Sequence, residues 1–246
     1  MHDIALTGIY FFMIALLYST VGHAGASGYL ATMALLSFTP AVMKPTALAL
    51  NIIVASVTTA RFAMAGHFSW RLFWPFALAA APMAYLGGGM TLDATAYKIL
   101  VGIALVFAAM HLILRSSAAL DDAECAGHPG MGASLTTGGG IGILSGLTGV
   151  GGGIFLSPVL IIQRWAGLRK TAAVAAAFIL LNSISGLAGY IQKGGTFPDH
   201  FAFWSVAVLS GGFIGSTLGS TKFNSPVLRV LLGIMLVMAG LKMVVI

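Results

Sequence analysis

The sequence predicts an all-α, polytopic membrane protein: two inverted repeats, each a Gly-rich, broken or re-entrant helical hairpin followed by three long transmembrane helices. Three observations carry this. First, 59% of the 246 residues are hydrophobic and 7% charged, against roughly 25% charged in soluble domains. Such a chain cannot cover a globular surface with polar groups, so its solvent is mostly lipid. Second, the carboxylates Asp3, Asp93, Asp121, Asp122, Glu124 and Asp199 all fall in the N-terminus, short connectors or one central polar stretch, and no apolar run contains one. Third, landmarks of the first half recur in the second at nearly constant offset.

The apolar runs are 4–22, 28–39, 45–65, 72–92, 96–114, 135–148, 153–163, 171–191, 200–219 and 227–246. None alternates with period two, which a barrel would need. Met1-His2-Asp3 lacks the basic start of a signal peptide, so 4–22 is expected to remain as a membrane segment. A spanning helix takes about 20 residues; the runs 28–39, 135–148 and 153–163 are too short and the others suffice. The polar stretch from Arg115 to Ala133 splits the chain, giving a first repeat at 1–114, a linker at 115–134 and a second repeat at 135–246. The one cysteine, Cys125, sits in that linker, cannot form an internal disulfide, and reads as a passive thiol.

The repeat is legible in the closing helices. Lys98-Ile-Leu-Val-Gly102 and the residues to Ala109 match Arg229-Val-Leu-Leu-Gly233 and the residues to Gly240 at a shift of 131, which also places Asn51 on Asn182. At a shift of 124, Val21-Gly-His-Ala-Gly25 falls on Ser145-Gly-Leu-Thr-Gly149. Five segments per half is an odd number, so the second half starts on the opposite side of the membrane, a common transporter plan. Lys44, Lys98, Lys193 and Lys242 gather on one side, and Arg61, Arg71, Arg115, Arg164, Arg169, Lys170, Lys222 and Arg229 on the other. The more basic side is expected to be cytoplasmic, with both termini outside and the linker inside. The scattered single cations behind the +6 net charge fit topology and lipid headgroups, not nucleic acid. The four tryptophans, at 70, 74, 165 and 204, fall near segment ends and read as interface anchors.

Two Gly-rich turns lie inside apolar sequence: Gly22-His-Ala-Gly25-Ala-Ser-Gly28 and Gly146-Leu-Thr-Gly149-Val-Gly-Gly-Gly153. A dinucleotide loop would need an acidic residue about 20 positions on, and none lies between Glu124 and Asp199. Broken helix is tolerated at membrane depth where it lines a cavity. Short helices starting near Ser27 and Gly152 would aim free N–H groups and a positive dipole end at the turns, an anion site without a charged side chain. The alternative is that these glycines only permit close helix packing. The candidate binding residues are therefore His23, Gly25, Ser27 and Gly28 in the first turn, and Thr148, Gly149, Gly151, Gly152 and Gly153 in the second. Asn51 and Asn182 join them as repeat equivalents that need polar partners in hydrocarbon, with interhelical hydrogen bonding as the competing role. Arg61 would draw an anion into an inner vestibule or snorkel to the interface. No metal-binding H-E-x-x-H, paired aspartates or G-x-S-x-G occurs, so neither an enzyme nor a cofactor is expected.

These residues carry a resemblance. Gly149-Val-Gly-Gly-Gly153 with Pro158 soon after, Lys44-Pro-Thr-Ala through Arg61-Phe, Gly66-His-Phe-Ser-Trp70-Arg71 and the two closing helices resemble the sulfite exporter TauE/SafE family, also called toluene sulfonate uptake permeases. The first turn is a more degenerate match than the second. The resemblance covers nearly the whole chain and implies an inner-membrane secondary transporter whose substrate is a small anion such as sulfite, a sulfonate or a related organosulfur acid. The residues alone give a transporter with an anion-friendly, carboxylate-free centre, with an anion channel as the alternative and self-association into a homo-oligomer left open.

Overall fold

The computed structural model describes residues 4–114, 127, 129–194, 201–221, 236–238 and 240–244. Cys125, Lys222, Arg229 and most of the closing run at 227–246 lie outside the described residues. The described chain is all-helical: α1 (Ile4–Ser19), α2 (Ala26–Leu35), α3 (Pro40–Met64), α4 (Trp70–Gly89), α5 (Ala94–Leu114), α6 (Met131–Thr148), α7 (Gly153–Ile162), α8 (Leu168–Gln192) and α9 (Phe201–Thr221). Local chemistry sets several starts. Pro40 opens α3, where its fixed φ suits the helix and its missing N–H leaves nothing unpaired. The Asp93 carboxylate accepts the Ala96 N–H at 2.8 Å and starts α5.

Helices α3 and α8, of 25 residues each, and the Phe201–Gly219 part of α9 are long and apolar enough to cross a membrane. A 25-residue helix is about 37 Å long at 1.5 Å per residue, more than the roughly 30 Å of hydrocarbon. By the same rise, the 16 residues of α1 reach about 24 Å, and the 10 residues of α2 and of α7 about 15 Å each. These short helices form two hairpins. The Trp204 indole at the start of α9 donates to the Ile4 carbonyl at 3.4 Å and stacks edge-on against Phe38 at 6.0 Å, so α1 begins and α2 ends at one end of the bundle. Phe76 near the start of α4 meets Gly138 of α6 and lies 6.2 Å from the Trp165 ring beyond α7, so α6 begins and α7 ends together as well.

Glycine decides how closely the helices approach. Gly138, Gly142 and Gly146 lay one face of α6 on the Phe76, Ala80 and Ala84 carbonyls of α4. Gly211 and Gly215 of α9 do the same on Phe12 and Leu16 of α1, and Gly219 on Thr20 just beyond it. Gly88 and Gly189 close α4 onto α8. In lipid, where apolar faces gain little by leaving their solvent, this backbone approach supplies the packing.

Three readings from sequence change here. Helix α6 starts at Met131, four residues before the expected run and inside the stretch assigned to the linker, and so reaches 18 residues. Trp204 is buried at 3% exposure against Phe11 and Phe38, so it is a core residue and not an interface anchor. Lys44 is buried too: its ammonium donates to the carbonyls of Gly87 at 3.1 Å, Gly88 at 2.8 Å and Met90 at 3.1 Å. All three donors cap the C-terminal end of α4, where the helix dipole favours a cation.

The glycine face gives a controlled test. A Cβ at Gly142 would collide with the Ala80 carbonyl, whereas Gly140, two residues away on the same helix, is exposed with nothing within 4 Å. Gly142→Ala is expected to destabilise the protein by about 1–3 kcal/mol through overpacking. Gly140→Ala should be neutral or stabilising by up to about 1 kcal/mol from helix propensity. Melting temperatures of the two variants in detergent check both signs.

Candidate functional site

Both hairpins break at glycines in left-handed backbone. Gly25 has φ 98° just before α2, and Gly149, Gly151 and Gly152 have φ of 84°, 84° and 80° between α6 and α7. A side chain is strained in this region. At Gly151 it would also lie 2.6 Å from the Asn51 amide nitrogen.

The first break is held by its own polar groups. The Ser27 hydroxyl donates to the Tyr18 hydroxyl at 3.1 Å, the Tyr29 hydroxyl to the Ala24 carbonyl at 2.9 Å, and the His23 N–H to the Tyr18 carbonyl at 3.0 Å. The second break is held partly by Thr148, whose hydroxyl donates to the Leu144 carbonyl at 2.7 Å and accepts the Val150 N–H at 3.2 Å. The Tyr97 hydroxyl of α5 donates to the Thr148 carbonyl at 3.1 Å.

The two breaks meet. Tyr18, His23, Ala24, Gly25, Ala26 and Ser27 form one side of a small cavity, and Val150, Ile154 and Ile179 form the other. The space open to the centre of a water-sized sphere is ≈ 10 Å³, room for about one water. Among the described residues, no lysine, arginine, aspartate or glutamate lines it. The turns pass side by side more than tip to tip: Gly22 reaches Ala172 of α8, and Gly149 reaches the Lys44 backbone of α3. The His23 Nε2 lies 3.2 Å from the Ser157 hydroxyl of α7, joining the hairpins of the two halves.

Asn51 and Asn182 are both fully buried, and both lie at the second break. The Asn51 amide donates weakly to the Val150 carbonyl at 3.5 Å and the Ser183 hydroxyl at 3.4 Å, and its oxygen has no partner. Asn182 packs against Gly152, and neither atom of its amide has a partner. The Ser145 hydroxyl is likewise unpaired. Ile141 and Phe178 flank Gly152, and Ser145 and Asn182 stand one helical turn further along α6 and α8. A buried amide left this way costs about 1–3 kcal/mol.

Of the sequence candidates, His23, Gly25 and Ser27 line the cavity; Gly151, Gly152 and Gly153 lie beside it against Asn51, Asn182 and Ile179. Gly28 packs on Ile14 and Tyr18. Three candidates sit elsewhere. The Thr148 hydroxyl is used within its own turn, Gly149 packs on Lys44, and the Arg61 guanidinium stacks 4.5 Å over the Phe213 ring of α9. Sequence reasoning missed Tyr18, Ser157, Val150, Ile154 and Ile179. Tyr18 alone carried a signal, a hydroxyl in an apolar run one helical turn before the first glycine.

A helical bundle with membrane-length apolar helices and two hairpins broken around a buried polar junction defines a polytopic membrane protein. The family model for the sulfite exporter TauE/SafE matches residues 8–243, and the chain belongs to that family of membrane transporters. A relative from Sinorhizobium fredii (strain NBRC 101917 / NGR234), described as "Probable membrane transporter protein y4hK", is 42% identical over 238 residues, covering 96% of each chain. No solved structure matches the chain at a significant level.

Asn182→Leu removes the unpaired amide while keeping the volume. It is expected to leave the melting temperature unchanged or raised by a few degrees, and to lower transport at least tenfold. Thermal unfolding and flux in proteoliposomes, measured on the same preparation, check the two arms.

Proposed function

We propose that this transporter carries a small anion, an oxyanion of sulfur or a sulfonate, by alternating access around the cavity between the two Gly-rich breaks. The observation that carries this reading is the meeting of residues 23–27 with residues 150–154 at one cavity whose described lining holds no acidic or basic side chain other than His23, each side leading into a short helix. Each helix start offers free N–H groups and about half a positive charge. Among the described residues, no carboxylate lines the cavity to repel an anion. The unpaired Asn182 amide adds a donor beside the α7 start. The family description supplies the sulfur chemistry.

Alternating access rests on the arrangement of the halves. Helix α4 packs on α6 and α8, and α9 packs on α1 and α3. Exchanging α1 with α6, α3 with α8 and α4 with α9 turns one set of contacts into the other, as two repeats related by an axis in the membrane plane would. The first hairpin opens toward the start of α9 and the second toward the start of α4. In this reading the repeats are 1–114 and 135–246, the segment 115–134 is cytoplasmic, and the termini are outside in the cell (inner) membrane. A channel would need a continuous water path, whereas two broken hairpins from opposite halves suit a centre that opens to one side at a time.

Purified protein is expected to show a raised melting temperature with sulfite, sulfonates or both, and a smaller response to carboxylates and chloride. A ligand at 100 times its Kd stabilises by about 2.7 kcal/mol. In proteoliposomes the same anion should drive saturable uptake or efflux without single-channel currents. Electrodiffusive single-channel events would overturn alternating access, and the absence of any anion-dependent shift would overturn the site.

A further inference from the structure

We infer that Tyr97 is a positioning residue for the second break: its hydroxyl, reaching over from the first half of the chain, holds the carbonyl just before Gly149 and so fixes the glycine run that leads into α7. This rests on the reading of that break as part of the anion site and adds the residue that keeps it in place.

The two breaks correspond at one carbonyl. The shift of 124 residues that sets Gly25 on Gly149 also sets Ala24 on Thr148. Gly25 and Gly149 are both left-handed, with φ of 98° and 84°. The carbonyl before each accepts a tyrosine hydroxyl: Tyr29 donates to Ala24 at 2.9 Å, and Tyr97 to Thr148 at 3.1 Å. In the first break the tyrosine belongs to the hairpin itself. The second hairpin has no tyrosine between Met131 and Ile162, and the same bond is made by α5 of the other half.

The bond acts where the chain is otherwise least determined. Gly149, Gly151 and Gly152 all have positive φ, and glycine carries no side chain with which to fix its own backbone. The Thr148–Gly149 peptide is planar, so holding both of its polar ends sets its orientation. Its N–H donates to the Ser145 carbonyl at 2.8 Å within the same hairpin, and its carbonyl is held by Tyr97. From that plane the chain runs on to Val150 and Ile154, which line the cavity. The Asn51 amide is a weaker tie, 3.5 Å from the Val150 carbonyl.

Helix α5 is placed to do this. The Asp93 carboxylate caps its first turn at the Ala96 N–H, and Tyr97 is the next residue. The Tyr97 side chain is buried; its ring packs as an apolar body and its hydroxyl supplies a single directed donor. Further along α5, Phe107 stacks on Phe155 in the first turn of α7, with ring centroids 5.4 Å apart. One helix of the first half thus holds the glycine run at both ends, at Thr148 before it and at Phe155 after it. Tyr97→Phe removes the oxygen and keeps the ring, so it isolates the bond from the packing.

The test compares the full chain with its Tyr97→Phe and Tyr29→Phe variants in lipid bilayers. Site-resolved hydrogen exchange is read at the Gly149 and Val150 amides, both hydrogen-bonded in the second turn. Tyr97→Phe is expected to speed exchange there about five- to tenfold, and Tyr29→Phe to leave it unchanged. In proteoliposomes Tyr97→Phe should raise the KM for the transported anion, sulfite or methanesulfonate, by a similar factor, with maximal flux per folded protein within about twofold. A tyrosine that only supports folding would lower the folded yield without moving KM. Exchange at 149 and 150 that is no faster in Tyr97→Phe, equal acceleration in Tyr29→Phe, or an unchanged KM overturns the inference. A wild type that neither binds nor moves either anion overturns the anion reading, and the exchange arm then decides whether Tyr97 holds the turn. If Tyr97→Phe fails to fold, a solid-state NMR cross-peak in the wild type between the Tyr97 phenol carbon and the Thr148 carbonyl carbon decides, and its absence overturns the inference.

Discussion

A helix interrupted at membrane depth must find partners for its freed backbone groups within the protein, because lipid offers none. The rest of this structure follows from that constraint. Helices α1 and α2 are joined by one turn and α6 and α7 by another, and both turns lie inside the bundle. The turns are kept from lipid by being set against each other and against α3 and α8, and their polar groups are consumed by Tyr18, Ala24, Leu144 and Tyr97. That accounting is incomplete at Asn51, Asn182 and Ser145 near the second turn, and at the Thr46 and Thr59 hydroxyls of α3.

Setting two turns side by side requires the enclosing helices to come unusually close. Glycines on α6 and α9 bring backbone against the carbonyls of α4 and α1, and Gly88 and Gly189 join α4 to α8. Lys44 belongs to the same scheme. Its ammonium caps the carbonyl end of α4, and its backbone packs against Gly149, so one residue stabilises a helix terminus and supports the second turn. The packing glycines and the turn glycines thus have separate tasks, close approach in one case and left-handed backbone in the other.

The two halves contribute unequally to the centre. The first break brings hydroxyls and an imidazole to the cavity, whereas the second brings apolar side chains and keeps its amides just behind Gly151 and Gly152. The cavity thus has donors on one wall and apolar surface on the other.

By itself the sequence determined the class, the apolar runs, the two breaks and the start of α7 to within a residue. These are local properties: composition sets the solvent, apolar run length sets the helices, and clustered glycine marks where a helix cannot continue. Tertiary structure decided what faces what. Asn51 and Asn182 occupy equivalent places in the repeat, yet both serve the second turn, because α3 and α8 cross there. Arg61 has the spacing of a vestibule cation but lies over Phe213, which is 152 positions away in the chain. Lys44 and Trp204 read as edge residues and are buried, since a neighbouring helix end or aromatic cluster covers them. Ser157 became a partner of His23 only when residues 134 positions apart were brought together. A sequence records which residues need a partner; the long-range packing of helices selects which partner they get.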